Sequence, residues 1–226
     1  MTVTRRLWMV GVAVLAMVNG AGLAQDAGAE EANPFEDEIR AFEDQDAEAM
    51  PEPGGILFVG SSSIRMWDTD RWFPDREIIQ RGFGGSRMSD VVYFFDRIVL
   101  PYRPKTIVLY EGDNDIAAGR SAERVRDDFL ELAQRIERDL PGTELYFIAI
   151  KPSLARWSMI DEMRCANCLI SWTIRDYDWM HYVDVAEAML GPGATPREDI
   201  FMDDGLHLND EGYAIWTSIV EPLLAD

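Results

Sequence analysis

The chain has 226 residues, with 21 basic and 41 acidic side chains and a formal net charge of −20. That length suits one domain with a substantial core. The charge repels phosphate backbones and anionic lipid surfaces, which argues against nucleic acid as a partner and against stable membrane association.

Residues 1–24 have the layout of an export signal. Arg5 and Arg6 form a positive start, residues 7–18 are an apolar run, and Gly22-Leu23-Ala24 offers a small-residue cleavage site. The run is short for a membrane span. A buried N-terminal helix and an uncleaved anchor are the competing readings. Export to the periplasm or the medium is the expectation, and removal of this segment would delete two arginines and no acid. Residues 25–33 are acidic, Ala-rich and poor in apolar groups, so a disordered tether is expected there. Residues 34–226 are expected to form a single domain.

Phe35, Ile39 and Phe42 recur at helical spacing, and Pro51-Glu52-Pro53-Gly54-Gly55 stops the pattern, which predicts a short outer helix. From residue 56 onward, short apolar runs alternate with longer amphipathic ones. Strands are predicted at 56–59, 77–80, 106–110, 145–150 and 182–185, and helices at 89–99, 122–139, 156–179 and 210–224. Three of the strands are apolar nearly throughout, as strands buried on both faces are. The alternation predicts an α/β fold, a three-layer α/β/α sandwich around a parallel sheet of about five strands. Ligands of such sheets bind beyond the carboxyl ends of the strands.

Chemistry-bearing residues collect at those predicted ends. Ser62 follows the first strand within Gly60-Ser61-Ser62-Ser63, where Gly60 permits a tight exit and a helical turn would aim backbone N–H groups at a forming oxyanion. Gly84-Gly85 follows the second strand, and a bare glycine there either lets its N–H approach a substrate carbonyl or serves a turn with positive φ. Asn114 follows the third strand within Gly112-Asp113-Asn114-Asp115, and its amide suits a tetrahedral oxyanion. A calcium loop fails at this place, because Ala117 and Ala118 occupy the third ligand and glycine positions of the EF-hand pattern.

The chain has two histidines. His181 starts a predicted strand and is expected to be a structural imidazole. His207 lies in Asp204-Gly205-Leu206-His207, a loop before the last helix, and Asp204 can reach back to orient its ring. Serine, histidine and acid together are the parts of a serine hydrolase.

Cys165 and Cys168 form a lone C-x-x-C in a helical segment, without the further ligands of a zinc site or the strand-to-helix context of a redox motif. They are expected to be two semi-buried thiols. No nucleotide loop, metal cluster or cofactor motif is present.

From residue 56 to the C-terminus the chain resembles the SGNH hydrolases, also called GDSL esterases and lipases. The four blocks of that family fall on Gly60-Ser61-Ser62, Gly85, Gly112-Asp113-Asn114 and Asp204-Gly205-Leu206-His207. The resemblance implies a flavodoxin-like fold, Ser62 as nucleophile, Asp204 and His207 completing a triad, and an oxyanion hole made of Ser62, Gly85 and Asn114. Ser61 stands where the family usually has Asp. No metal or cofactor is implied. The expected substrates are small-molecule or glycan esters with short acyl chains, acetyl groups on carbohydrates included. Lysophospholipid or thioester cleavage is an alternative activity, and a catalytically silent glycan-binding protein is the rival from another class. Trp67, Trp72, Trp157, Trp172, Trp179 and Trp216 offer sugar-stacking faces, although most are expected to be core.

Overall fold

Five parallel strands run in the order β2-β1-β3-β4-β5 in a computed structural model that describes residues 33–224. They are β1 (Ile56–Gly60), β2 (Ile78–Gly82), β3 (Thr106–Tyr110), β4 (Glu144–Ile148) and β5 (Met180–Val183). The expected export signal and residues 25–32 of the expected tether lie outside the described residues. Asn33, the last of that segment, accepts from the Phe35 and Glu36 N–H groups ahead of the first helix.

Helices cover both faces of the sheet, as its doubly buried strands require. One layer holds α1 (Glu36–Glu48), α4 (Met88–Ile98), α6 (Ala122–Asp139) and α7 (Ile160–Ile174). Their inward residues, Ile39, Phe94, Phe129 and Ile170 among them, share one core with Leu57, Ile107, Leu109 and Phe147 of the strands. Ser121 opens α6 by accepting from the Arg124 N–H at 3.3 Å. The other layer holds α2 (Ser62–Arg65), α3 (Thr69–Trp72) and α8 (Asp210–Val220), with Trp67, Tyr213 and Trp216 packed on Phe58, Val108 and Tyr110.

The strand order places the reversal of winding between β1 and β3, because the chain goes from β1 outward to β2 and then returns to the far side of β1. A crevice opens at such a reversal, beyond the carboxyl ends of the two strands. Here β1 delivers Ser62 and β3 delivers Asn114. Gly60 makes the approach of the two strands possible. Its φ is +144°, and a Cβ there would lie 2.1 Å from the Tyr110 carbonyl oxygen.

Several predicted boundaries move. β4 and β5 begin and end earlier than expected, because their register pairs Leu145 with Met180 and Ile148 with Val183. The long helix predicted at 156–179 divides into a 3-10 turn at Trp157–Met159 and α7, and turns after Ile174 lead into β5. The last helix changes to a 3-10 turn at Glu221–Leu224, where Pro222 removes a helical donor. Cys165 and Cys168 are exposed rather than semi-buried and are not bonded to each other. The buried face of α7 is formed by Met163, Ala166, Asn167, Ile170 and Ile174, which turns both thiols outward. Of the six tryptophans considered, Trp67 and Trp216 are fully buried, whereas Trp172 is 60% exposed. Among the described residues no helix is long and apolar enough to cross a membrane.

Candidate active site

Ser62 is the first residue of α2, separated from β1 by Ser61 alone. As at any helix start, the first N–H groups have no partner within the helix. The Ser62 N–H has no acceptor among the described residues, which leaves it available to an anion. Ser61 is buried with its hydroxyl unpartnered among the described residues, and its side chain does not cap α2.

His207 arrives from 145 residues away, and aromatic packing brings it there. In α8, Trp216 lies 4.9 Å from the Tyr110 ring and 5.4 Å from Trp67, centroid to centroid. Trp67 Nε1 donates to Thr217 Oγ1 at 3.2 Å, and the Tyr213 hydroxyl donates to the Ser63 carbonyl at 3.0 Å. These contacts fasten α8 to α2 and to the turn that follows it. An antiparallel bridge, Phe201 to Leu208, closes the preceding loop. Gly205 takes φ +64° within it and accepts from the Ala155 N–H.

The outcome is a linked row. His207 Nε2 lies 3.0 Å from Ser62 Oγ, and His207 Nδ1 lies 2.6 Å from Asp204 Oδ2. Asp204 Oδ1 also accepts from the Leu206 and His207 N–H groups, each at 2.9 Å. The ring's hydrogen bond, followed by those two amides, lowers the Asp204 carboxyl to about 2, so it stays ionised at neutral pH. An ionised acid on Nδ1 leaves Nε2 as the basic nitrogen, facing the serine.

On the other side of Ser62 lie the expected oxyanion donors. Gly85 has φ +86° in the turn after β2, is exposed, and has its N–H free of acceptors among the described residues. Asn114, in α5 (Asp113–Ala117), donates one amide hydrogen to the Ser86 carbonyl at 2.9 Å. Its Oδ1 accepts from Arg156 Nη2 at 2.8 Å, which settles the amide orientation and leaves the second N–H available.

Sequence reasoning had missed the residues behind Asn114. Arg156 Nη1 lies 2.9 Å from Asp113 Oδ2, and Lys151 Nζ lies 3.3 Å from the same oxygen. Lys151 is 1% exposed. Burial pushes the Asp113 carboxyl up, but the Lys151 and Arg156 charges outweigh it and keep it below its ordinary value. Burial pushes the Lys151 ammonium down, with Asp113 opposing. These partners stand 38 and 42 residues from Asp113 and Asn114, on the segment after β4, and no local spacing announces them.

His181 is apart from this row. In edge strand β5 its Nε2 lies 2.6 Å from Glu144 Oε2, and its ring stacks on Tyr146 at 4.4 Å. Among the described residues no group of three or more His, Cys, Asp or Glu side chains is placed to hold a metal ion.

Residues 66–215 match the model of the GDSL-like Lipase/Acylhydrolase family, and the chain belongs to that family. The matched span contains Gly85, Asn114, Asp204 and His207 and begins just after the Ser62 turn. The fold is similar to a GDSL-like lipase from Bacteroides thetaiotaomicron, with a TM-score of 0.72 at 16% identity over 82% of this chain and 96% of that one. It is also similar to a carbohydrate esterase family 3 structure from Talaromyces cellulolyticus, with a TM-score of 0.61 at 17% identity over 76% and 96%. Axe2, an acetyl-xylooligosaccharide esterase from Geobacillus Stearmophilus, gives a TM-score of 0.59 at 12% identity over 76% and 94%. At these identities the likeness is one of fold. No curated protein matches the chain.

Proposed function

We propose that the protein is an exported serine esterase that removes short acyl groups, acetyl groups on carbohydrates among them, through an acyl-enzyme. The observation that carries this reading is the 3.0 Å contact between His207 Nε2 and Ser62 Oγ, with ionised Asp204 on the opposite ring nitrogen. His207 takes the Ser62 proton as Oγ attacks the ester carbonyl. The negative oxygen that forms is held by the Ser62 and Gly85 N–H groups and the free Asn114 N–H. His207 then gives its proton to the leaving alcohol, and a water activated by the same nitrogen releases the acid.

Two of the fold neighbours are named for carbohydrate or acetyl ester cleavage, which favours acetylated glycans as the substrate class. The apolar run behind Arg5 and Arg6 supports export.

The test is turnover of chromogenic acetyl, butyryl, octanoyl and palmitoyl esters by protein starting at Gln25, beside Ser62→Ala. Ser62-dependent hydrolysis that is fastest for acetyl and declines with chain length is expected. A preference for long chains contradicts the substrate class, and turnover that survives Ser62→Ala contradicts the mechanism.

A further inference from the structure

Glu111 is a fully buried acid beside the oxyanion donors, and the proposed reaction leaves it unused. It directly follows β3, and its Oε1 lies 2.5 Å from Ser86 Oγ. The same Ser86 hydroxyl lies 2.9 Å from the Phe83 carbonyl oxygen. A hydroxyl has one hydrogen to donate, whereas a carbonyl and an ionised carboxylate can only accept. An ionised Glu111 would take that hydrogen, leaving the Ser86 and Phe83 oxygens facing each other at 2.9 Å with no hydrogen between them and the Phe83 carbonyl with only the longer Ser86 N–H contact at 3.4 Å.

A protonated Glu111 resolves the count. Its O–H donates to Ser86 Oγ, and the Ser86 hydrogen goes on to the Phe83 carbonyl. Glu111 Oε2 has no partner among the described residues, a modest cost for the carbonyl oxygen of a neutral acid and a large one for half of a buried carboxylate. The neighbouring cations are engaged elsewhere: Lys151 and Arg156 face Asp113, and Arg120 lies between Asp115 and Asp128. Burial pushes the Glu111 carboxyl well above its ordinary value against the Ser86 hydrogen bond, and the charges of Asp115, Asp113 and Asp90 push it the same way.

Ser86 is the junction of the oxyanion side. It follows Gly85, its N–H points back to the Phe83 carbonyl at 3.4 Å, and its own carbonyl accepts from Asn114 Nδ2. We propose that Glu111 is a positioning residue that works as a neutral carboxylic acid, donating its proton to Ser86 and so holding the turn that presents the Gly85 N–H and the Asn114 amide to substrate. The proposal rests on the serine esterase reading for its catalytic consequence, but not for the protonation of Glu111. Displacement of a positioned donor by about 1 Å is enough to cost on the order of 10²-fold in rate.

Two measurements on the full chain separate these. In the infrared difference spectrum of wild type minus Glu111→Gln at neutral pH, a protonated carboxyl C=O band is expected, and carboxylate bands in its place would overturn the proposal whether or not the protein is an esterase. In kinetics, Glu111→Gln keeps a donor toward Ser86 and is expected to retain the kcat that Glu111→Met loses. The loss in Glu111→Met should be about 10- to 100-fold, in kcat rather than KM. Equal losses in both variants would overturn the proposal. If Glu111→Met does not fold, Ser86→Ala cuts the same chain at the hydroxyl. Adding Glu111→Gln to it should then change kcat no further, and an additional loss would count against the coupling.

Discussion

Two imidazoles in this chain each lean on a carboxylate at 2.6 Å, His207 on Asp204 and His181 on Glu144, yet their second neighbours differ completely. The second ring nitrogen of His207 meets a serine hydroxyl at the reversal point of the sheet, beside the Ser62 and Gly85 N–H groups, which have no acceptor among the described residues. His181 lies in an edge strand, stacked on Tyr146. An imidazole–carboxylate pair is therefore not a catalytic signature in itself. What distinguishes the two is their place on the sheet: His207 lies in the loop before α8, at the carboxyl ends of the strands, whereas His181 is the second residue of β5, near the start of a strand parallel to the rest.

Substitutions at the two histidines put that contrast at risk most severely. His207→Ala or Ser62→Ala is expected to lower kcat by on the order of 10³- to 10⁶-fold, whereas His181→Ala should leave it largely unchanged in a steady-state ester assay. Equal damage from His181→Ala would erase the distinction. Asn114→Ala removes one of the proposed oxyanion donors and should lower kcat by about 10²- to 10³-fold with KM little altered.

The support behind Asn114 can be probed through stability. Lys151→Met leaves Asp113 buried with Arg156 as its remaining cationic partner, and a loss of about 3 kcal/mol in urea unfolding is expected. A smaller, pH-dependent effect belongs to Asp115, whose carboxyl is raised by burial to about 6 from an ordinary 3.8. The folded chain binds this proton more tightly than the unfolded one, so its contribution to stability falls as pH rises from about 4 to about 6 and then stays constant. Asp115→Asn should flatten that part of the stability–pH curve, and an unchanged slope would show that Asp115 is ionised throughout.

The sheet was legible in the sequence because its strands are buried on both faces and its helices keep apolar stripes. Residues 106–110 and 122–139 were placed to the residue for that reason. The ends of β4 and β5 were not, because their boundaries come from register between strands rather than from local pattern, and α7 is cut short by a 3-10 turn before it and by turns after Ile174. Ser62, Asn114, Asp204 and His207 were legible because short motifs surround them, and the structure brings all four to one edge. Arg156, Lys151 and Glu111 were hidden. Arg156 and Lys151 act across loops, and Glu111 is one acid among 41, marked only by the burial that folding imposes on it.

The serine mechanism is tested most directly by covalent capture, because a nucleophile activated by His207 should react with an electrophile designed for serine hydrolases. After treatment with a fluorophosphonate, mass spectrometry of the digested protein should find the adduct on Ser62 in the wild type and none in Ser62→Ala or His207→Ala. An adduct on Ser61 or Ser63, or one on Ser62 that forms equally fast without His207, would contradict the assignment of Ser62 and His207 as a working pair.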